Sequence, residues 1–528
     1  MKKDERYYCD VLVIGTGIAG LTTAITLGEY GVNVILITKF PYIEESNTYY
    51  AQGGIVTLGK NDSPKLLAQD IIKAGDTISN PKSIEIITTE GAKIVEEFLI
   101  KKVGVQFSKK NNKEIDYAQE GSHSRRRILY WQDETGKAIE TALSKKIKEF
   151  KNIQILTNHT AIDLLTIPHH SVNPISIYKE PQCIGAYVLN NLNEKVERIF
   201  ALNTVLATGG LGRIYLHTTN PSGATGDGFA MAQRANARII NMEYVQFHPT
   251  TLFHKDADGF LISEAVRGEG ARLKAKNGET FMERYSPLKD LAPRDEVSRA
   301  IYEEMLQRGD NYVYLDIANH SKVDIKKRFP NIYTKCLSLG IDITKEPIPV
   351  VPSAHYICGG VQVDEWGRTS IKNLYAVGEV SGTGLHGANR LASTSLLEGL
   401  VWGVRAAKHI AENYKVDRPY KESEIKTWIY PAKEEETDPA LILQDWFSIK
   451  SIMWNYVGII RTIKRLERGV ADLRYLRNRI EDFYKRAHLT PTIISLRNGI
   501  QTALIVAESA LRNKTSRGAH FIKPTTSL

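Results

Sequence analysis

The feature that most constrains this chain is a short apolar stretch that runs into three glycines near its beginning. Val11 to Ile14 are followed by Gly15, Gly17 and Gly20 in a G-x-G-x-x-G pattern, and a helix-like stretch, Leu21 to Tyr30, comes next. A strand that ends in this pattern and opens a helix is typical of a dinucleotide-binding turn. Gly15 permits the tight turn, Gly17 lets backbone N–H groups approach a pyrophosphate, and Gly20 lets the helix pack closely. Because chance glycine-rich turns carry the same letters, the interpretation needs support from the rest of the chain.

The second strand departs from an ordinary NAD-binding domain, in which an acid at the strand end binds a ribose hydroxyl. Here the strand Asn33 to Ile37 is followed by Thr38 and Lys39. A carboxylate, Glu379, does follow another apolar strand much later, and a third strand-to-glycine turn, Ala207 to Gly210, lies midway. Three such turns, so widely separated in sequence, predict a large dinucleotide such as FAD, held by discontinuous parts of one domain.

Size and composition are those of a multidomain globular protein. By length alone, 528 residues suggest about three or four domains. With 42% hydrophobic and 24% charged residues, the chain can bury a sizeable core. No apolar run approaches the roughly 18 to 20 residues of a membrane span, and the charged start, Met1 to Tyr8, lacks the apolar region of a signal peptide. We therefore expect a cytoplasmic protein with no membrane contact.

Cysteine spacing and net charge narrow the chemistry further. The four cysteines are far apart and form no C-x-x-C pair, which argues against disulfides, zinc and iron–sulfur clusters. No metal site is expected, so any redox chemistry requires an organic cofactor. A net charge of +9 is compatible with nucleic-acid binding, but the basic residues are interspersed with acids. We favour a basic surface that attracts acidic metabolites, and we expect no nucleic-acid partner.

A set of polar residues that can grip carboxylates recurs in the second half of the chain. The stretch from Pro293 to Gly309 predicts a helix, which places Arg294 at its N-terminal end, where the helix dipole disfavours a cation. Each histidine of the set, taken singly, is more often structural. Together with two arginines suited to bidentate carboxylate binding, they predict a site for a small dianionic substrate. The set is His248, Ser263, Glu264, Arg267, Arg294, His355 and Arg390.

Several long motifs resemble one flavoprotein superfamily. H-P-T, L-I-S-E-A-V-R-G-E-G, A-P-R-D, S-A-H-Y-I-C-G-G and G-E-V-S-G-T-G-L-H-G-A-N-R-L-A-S-T-S-L-L-E-G together are similar to succinate dehydrogenase, fumarate reductase and L-aspartate oxidase flavoproteins. The resemblance covers nearly the whole chain, including a tail that ends in S-R-G-A-H-F. Beyond about residue 435, apolar residues at three- and four-residue steps predict mutually packing helices, which either buttress the flavin domain or offer a docking surface.

The expected architecture is α/β with three domains. A Rossmann-like FAD-binding domain would comprise residues 1–245 and 351–430, an inserted α+β capping domain residues 246–350, and a C-terminal helical bundle residues 431–528. We expect a hinge for the capping domain near residues 245 and 350.

Two positions resemble the L-aspartate oxidases more than the other members. Membrane-linked members carry a histidine bonded covalently to FAD where this chain has Asn47, so the resemblance implies non-covalent FAD. The stretch E-G-S-H-S-R-R-R-I reads alone either as a solvated charge run or as a cleft-lining loop. It resembles the oxidases, in which its acid, here Glu120, pairs with the α-ammonium of the substrate. A succinate site has no use for an acid beside a dicarboxylate, because like charges repel.

The resemblance implies hydride transfer from C2 of L-aspartate to flavin N5, giving iminoaspartate, with oxygen or fumarate as the electron acceptor. This would be the first step of de novo NAD biosynthesis, with hand-off of iminoaspartate to quinolinate synthase. His248, Ser263, His355 and Arg390 would hold the carboxylates, with Arg294 beside the reacting bond as base or electrostatic stabiliser. Two other interpretations stay open: a soluble fumarate reductase or succinate dehydrogenase flavoprotein, and a flavin-binding redox sensor or electron-transfer partner.

The resemblance also assigns cofactor contacts. Ser395 and Leu396 would lie at a helix N-terminus facing the flavin, where the dipole favours reduced flavin. Asp227 is expected to cap a helix, to bond a cofactor hydroxyl, or both. The full set is Gly15, Gly17, Gly20, Thr38, Lys39, Ser46, Thr48, Gln52, Gly53, Gly54, Asp227, Glu379, Ser395 and Leu396.

Overall fold

The computed structural model of the protein describes residues 6–110, 114–319, 324–413 and 420–524. The strands are β1 Arg6–Ile14, β2 Val34–Ile37, β3 Ile55–Val56, β4 Tyr117–Ala118, β5 Ile128–Leu129, β6 Ile153–Leu156, β7 His159–Thr166, β8 Cys183–Asn190, β9 Lys195–Leu206, β10 Ile239–Ile240, β11 Val245–Leu252, β12 Arg272–Lys274, β13 Val313–Asp316, β14 Ile348–Ile357, β15 Gly360–Gln362, β16 Leu374–Ala376 and β17 Ser381–Gly382. The α-helices are α1 Ile18–Glu29, α2 Pro64–Ala74, α3 Pro81–Ile94, α4 Thr135–Lys146, α5 Ile167–His170, α6 Asp227–Arg234, α7 Glu264–Gly268, α8 Arg294–Arg308, α9 Ile325–Arg328, α10 Pro330–Ser338, α11 Ser395–Asn413, α12 Pro439–Tyr456, α13 Ile463–Arg486 and α14 Pro491–Arg512. A π-helical segment, Val95–Val103, continues α3.

The central sheet brings distant parts of the chain side by side. Its strand order is β6-β2-β1-β9-β8-β7, and β16 also pairs with β9. Strands β1, β2, β9, β6 and β16 are joined in parallel, whereas β7 and β8 form an antiparallel extension. Strand β2 is wholly apolar and buried, and β1 is apolar and buried from Val11 onward, because both faces of the sheet are covered there.

The register of the parallel strands places their carboxyl ends at one edge of the sheet. Ile14 lies beside Ile37 and Leu206, and Leu206 lies beside Ala376. The turns that follow these four strands therefore meet at that edge, although they are far apart in sequence. Ligands of open α/β sheets bind at this edge.

Close packing of helices on the sheet depends on glycine. A side chain at Gly20 would lie 2.0 Å from the carbonyl oxygen of Gly15, and one at Gly403 of α11 would lie 3.0 Å from the Ala19 carbonyl oxygen. Helix α1 therefore sits tightly against both the glycine turn and α11.

A second, antiparallel sheet has the order β11-β14-β13-β12. Its strands β11 and β14 pair with His248 opposite Ser353, and the register shifts between His248 and Thr251. Helix α8 packs on β11, and the Ser298 hydroxyl donates to the Phe247 carbonyl oxygen at 3.1 Å. The predicted helix is confirmed: α8 begins at Arg294, directly after Pro293, and ends at Arg308, directly before Gly309, whose φ of 69° is left-handed.

Helices α12, α13 and α14 form the predicted C-terminal bundle, and α14 contacts the domain that carries the glycine turns. The Asn498 amide donates to Asp227 Oδ1 at 3.0 Å, and the Thr502 hydroxyl donates to the Gly226 carbonyl oxygen at 2.9 Å. The bundle thus buttresses α6, and the predicted α/β fold class is confirmed. In the described part of the chain, no helix combines the length and apolarity needed to cross a membrane.

Candidate active site

A deep cleft at the carboxyl edge of the central sheet collects both sets of predicted residues. Of the predicted cofactor contacts, all except Gly20 line the cleft. The residues predicted to bind substrate line it as well: Glu120, His248, Ser263, Glu264, Arg294, His355 and Arg390. Gly20 and Arg267 lie behind this lining. Gly20 serves the packing of α1, and Arg267 contacts Glu264 from below.

The first glycine turn is shaped for a phosphate group. A side chain at Gly15, whose φ is 113°, would lie 2.2 Å from the Ala207 carbonyl oxygen. Helix α1 then begins after Gly17, which has no side chain to cap it, and the Ile18 N–H donates to Thr48 Oγ1 at 3.0 Å. Its N-terminal end, with the positive end of the helix dipole, therefore faces the cleft and favours an anion.

Unpartnered polar atoms line the same part of the cleft. Gln52 Oε1 and Thr208 Oγ1 are buried and have no hydrogen-bond partner among the described residues. Buried polar groups in folded proteins are nearly always paired, so these atoms mark places where a bound molecule supplies the partner. Together with the helix N-terminus, they fit a large polar dinucleotide such as FAD.

Asp227 does not cap its helix, so the first of its two predicted roles is wrong, whereas the predicted bond to a cofactor hydroxyl stays a prediction. It is the first residue of α6, the preceding Gly226 has a left-handed φ, and no side chain caps the helix. The Asp227 carboxylate instead binds Lys39 Nζ at 2.7 Å and the Asn498 amide at 3.0 Å. Lys39 and Asp227 thus form one polar wall of the cleft, linked to helix α14.

Glu379 lies at the end of β16, where its prediction placed it. It accepts hydrogen bonds from the Asn47 amide at 3.0 Å and from the backbone N–H of Ile357 at 3.2 Å. Burial raises the pKa of Glu379 to about 7. Asn47 is therefore held by a hydrogen bond to this acid.

At the substrate end, Glu264 is neutralised by arginine. Arg294 Nε donates to Glu264 Oε2 at 2.6 Å, and Arg267 Nη2 lies 3.8 Å from Glu264 Oε1. Burial alone would raise the pKa of Glu264, but the two guanidinium groups outweigh it and hold the pKa below its usual value. This acid stays ionised and is bound within the protein.

Glu120, the second acid at the substrate end, is not neutralised by any arginine that the structure describes. Its Oε2 accepts a 2.7 Å hydrogen bond from the Ser393 hydroxyl, and no cationic side chain of the described residues lies within salt-bridge distance. Burial raises the pKa of Glu120, and nearby Glu264 adds to this, although Arg294 and Arg390 act in the opposite direction. Gly53 leaves the space beside it, because a side chain there would lie 2.8 Å from Glu120 Oε1.

Two histidines face the cleft in their neutral forms. Burial lowers the pKa of His248 well below its usual value, and electrostatic interactions with Arg294 and His355 lower it further. Burial and the charge of Arg390 likewise lower the pKa of His355 well below its usual value. His248 Nδ1 accepts from the Thr250 N–H at 3.2 Å, so its proton lies on Nε2, which has no partner among the described residues. His248 is therefore an unused hydrogen-bond donor.

Arg390 is a buried cation at the substrate end of the cleft, and it has no carboxylate partner among the described residues. It is 5% exposed, its Nη1 donates to Ser395 Oγ at 3.2 Å, and its Nε has no partner. Among the described residues, no carboxylate lies within salt-bridge distance of it. Ser263 completes the set: its Oγ accepts from the Ala265 N–H at 3.3 Å as the cap of α7, which leaves the hydroxyl proton free to donate.

Sequence reasoning missed four residues that position this set. Ser393 orients Glu120 by its hydrogen bond, and the Tyr356 ring lies under the guanidinium of Arg390. Thr219 Oγ1 lies 2.8 Å from His355 Nδ1. Gln246 Oε1 lies 3.4 Å from Arg294 Nη1. Ser393 and Tyr356 sit inside the motifs already singled out, but no periodicity or spacing distinguishes them.

Comparisons with known proteins agree with this geometry. Residues 10–396 match the FAD binding domain family, and residues 448–524 match the fumarate reductase flavoprotein C-terminal family. The L-aspartate oxidase of Acinetobacter baylyi is 42% identical over 98% of this chain and 94% of its own length. L-aspartate oxidase 1 of Ralstonia nicotianae is 44% identical over 97% of this chain and 94% of its own length.

Solved structures give the same answer for the fold. E. coli quinol fumarate reductase superposes with a TM-score of 0.86 at 28% identity, over 99% of this chain and 92% of that chain. The Mycobacterium smegmatis Sdh1 structure with UQ1 gives a TM-score of 0.82 at 30% identity, over 98% of this chain and 89% of that chain.

Fold and cleft together define an FAD-binding flavoprotein of the fumarate reductase type, and the predicted cofactor is confirmed as FAD. Within this class, the chain belongs to the L-aspartate oxidase family.

Proposed function

We propose that this protein is an FAD-dependent L-aspartate oxidase that converts L-aspartate to iminoaspartate. The observation that carries the proposal is the pair of uncompensated charges in one cleft: Glu120 has no cationic partner and Arg390 has no anionic partner among the described residues. A buried unpaired charge is costly. A ligand that brings both an ammonium group and carboxylates removes both costs at once.

L-aspartate matches the donors and acceptors of the substrate end. Its two carboxylates suit the guanidinium of Arg390, the Nε2–H of His248, the hydroxyl of Ser263 and the ring of His355, which are donors without a carboxylate of their own. Its α-ammonium suits Glu120. Such fixed positioning of a reactant supplies a large part of the barrier reduction in enzymes.

FAD, when bound, supplies the hydride acceptor for this oxidation. The contribution of the chain is to hold C2 of the substrate in place and to manage the protons of its amine. An amine assists hydride loss only after it has given up a proton, and the raised pKa of Glu120 suits its carboxylate to accept one.

Arg294 acts through its charge. Its Nε is engaged by Glu264, and a guanidinium stays protonated in proteins, so we assign it electrostatic stabilisation and not base catalysis.

A second candidate is a soluble fumarate reductase or succinate dehydrogenase flavoprotein, which the likeness to quinol fumarate reductase favours. Glu120 argues against it as the main activity, since the acid would face a dicarboxylate without an ammonium. The same likeness supports fumarate, beside oxygen, as an electron acceptor. A redox sensor without turnover would have no need of the substrate-gripping set.

Several finer points belong to the same proposal. The activity would be the first step of NAD biosynthesis via quinolinate, in the cytoplasm, with iminoaspartate passed to quinolinate synthase. FAD would be bound non-covalently, because Asn47 takes the place of the histidine. The division at residues 245, 350 and 430, and the hinge at the first two, are further proposals.

The test is anaerobic reduction of the bound flavin, followed by loss of its visible absorbance. We expect L-aspartate to bleach the flavin, and succinate and D-aspartate to leave it oxidised. Bleaching by succinate but not by L-aspartate would transfer the protein to the succinate/fumarate branch. No bleaching by any of the three would favour the redox sensor.

A further inference from the structure

The face of an aromatic ring lies under the guanidinium of Arg390. The Cζ atom of Arg390 is 4.7 Å from the centroid of the Tyr356 ring, and both side chains are buried. Tyr356 is in β14, next to His355, and its ring also lines the cleft. A cation at this distance over a tyrosine face is attracted by the ring quadrupole, most strongly where water is excluded.

The hydroxyl of Tyr356 is tied to a buried acid. It donates to Glu398 Oε2 at 2.8 Å, and His386 Nε2 lies 2.9 Å from the same oxygen. The hydroxyl of Thr383 donates to Glu398 Oε1. Burial would raise the pKa of Glu398, but His386 and these hydrogen bonds outweigh it and lower the pKa, so the acid is ionised. Its place in the first turn of α11 favours the anion as well.

This arrangement solves a problem specific to a carboxylate-binding arginine. A buried guanidinium needs a stabilising neighbour, but a neighbouring carboxylate would compete with the carboxylate of the substrate. A ring face attracts the cation from below and carries no charge, so the N–H edge of Arg390 stays available. A phenol that donates its proton toward an ionised acid has an electron-richer ring, which strengthens the attraction.

We propose that Tyr356, polarised by Glu398, is a positioning residue that stabilises Arg390 as a cation while leaving its N–H groups open to a substrate carboxylate. This inference rests on the proposed function only in taking the ligand to be a dicarboxylate. The Tyr356–Glu398 pair thereby contributes to selection of dicarboxylate substrates without touching their carboxylates.

The test measures succinate binding to the FAD-loaded protein by the change it causes in the flavin absorbance. We expect Tyr356→Leu to weaken succinate binding about tenfold or more, the range of a desolvated cation–π contact. Tyr356→Phe, which keeps the ring, and Glu398→Gln, which removes the negative charge, should each weaken it about threefold. Tyr375→Phe is the matched control, because Tyr375 is a buried tyrosine whose hydroxyl contacts His409 away from the cleft.

Two further measurements separate positioning from a general structural role. FAD affinity and the melting temperature should stay near the native values in Tyr356→Phe. In an Arg390→Leu background, adding Tyr356→Leu should leave the residual succinate affinity unchanged, because the ring then has no cation to stabilise. Equal losses from Tyr356→Leu in both backgrounds, or native succinate binding in Tyr356→Leu, would overturn the inference.

The outcome can be told apart from failure of the proposed function. If L-aspartate reduces the flavin but Tyr356→Leu binds succinate like the native protein, the inference fails and the oxidase assignment stands. If L-aspartate does not reduce the flavin but Tyr356→Leu weakens succinate binding, the inference stands and the oxidase assignment fails. A native protein that binds no succinate contradicts the inference directly.

Discussion

The two acids at the substrate end of the cleft, Glu120 and Glu264, are both partly buried, but the protein neutralises only Glu264. Glu264 is paired with Arg294 and Arg267, whereas the side chain of Glu120, within the part of the chain that the structure describes, is bonded only by the hydroxyl of Ser393. The same contrast holds for two arginines of the cleft. Arg294 is paired with Glu264, whereas Arg390 packs on the ring of Tyr356. The compensated half therefore belongs to the scaffold of the site, and the uncompensated half is the part that a zwitterionic ligand completes. The uncompensated charges lower the stability of the folded protein, and they are retained because they bind the ligand.

The largest effect should come from removing the uncompensated cation. In Arg390→Leu, we expect L-aspartate to bind about a thousandfold more weakly, because truncating one member of a buried, hydrogen-bonded charge pair costs about 4 kcal/mol. Anaerobic flavin reduction at increasing L-aspartate concentration measures this. Arg390→Lys keeps the charge but not the fork geometry, and should fall between. A leucine variant within tenfold of native affinity would mean that Arg390 is not the carboxylate anchor.

The same Glu→Gln change should affect folding stability oppositely at the two acids. Glu264→Gln takes the carboxylate away from two guanidinium groups, that of buried Arg267 and that of partly buried Arg294, so we expect a loss of about 3 kcal/mol in the free energy of unfolding. Glu120→Gln removes a partly buried carboxylate that has no cationic partner among the described residues, and should leave stability unchanged or raise it by about 1 kcal/mol. Urea unfolding of the two variants without substrate compares them directly. Equal losses would show that both acids are compensated.

The raised pKa of Glu120 predicts a pH dependence of substrate binding. Below that pKa the carboxyl is neutral and does not pair with the ammonium, so L-aspartate affinity should fall as the pH is lowered through it, by up to about tenfold per pH unit. The pKa values of His248 and His355 are lowered well below the usual value, so both histidines stay neutral and cause no further change of affinity with pH. Binding titrations from about pH 8 to about pH 5 check this. A loss of the same size for succinate would assign the pH dependence to another group.

The smallest effect concerns the hydroxyl that orients Glu120. Ser393→Ala removes a hydrogen bond to a charged group, worth about 1.5 kcal/mol, so L-aspartate should bind about tenfold more weakly. Removing this bond also raises the pKa of Glu120 and moves the fall in affinity to higher pH. Ser393 has a left-handed φ of 58°, so Ser393→Gly is the control that relieves the backbone. If the glycine variant binds like the native protein, backbone strain and not the hydroxyl matters.

The cofactor end of the cleft was largely predictable because its determinants are local. Each turn consists of an apolar strand followed directly by glycine or a polar residue, as at Gly15 and Glu379, and parallel strands bring such turns to one edge. The helix at Arg294 was equally local, since Pro293 and Gly309 mark its two ends. The helical tail followed from its apolar spacing.

The substrate end of the cleft was less predictable from the sequence, because its ion pairs and hydrogen bonds join segments that are far apart in the chain. Nothing near Glu264 in sequence indicates that Arg294 would neutralise it, nor that Ser393 would hold Glu120. The helix cap, one of the two roles predicted for Asp227, is wrong for the same reason: the pattern that indicated it is local, but Lys39 and Asn498, from distant segments, bind the Asp227 carboxylate. Burial and pairing of charges are tertiary properties, and they separate the two acids.

The most direct test of the central claim is the affinity of native protein and Glu120→Gln for two ligands that differ only in the ammonium group. L-aspartate is measured by anaerobic flavin reduction and succinate by perturbation of the flavin absorbance. We predict that Glu120→Gln binds L-aspartate at least about thirtyfold more weakly, while its affinity for succinate stays the same or rises. Equal changes for both ligands, or no change for L-aspartate, would contradict the claim that Glu120 binds the substrate ammonium.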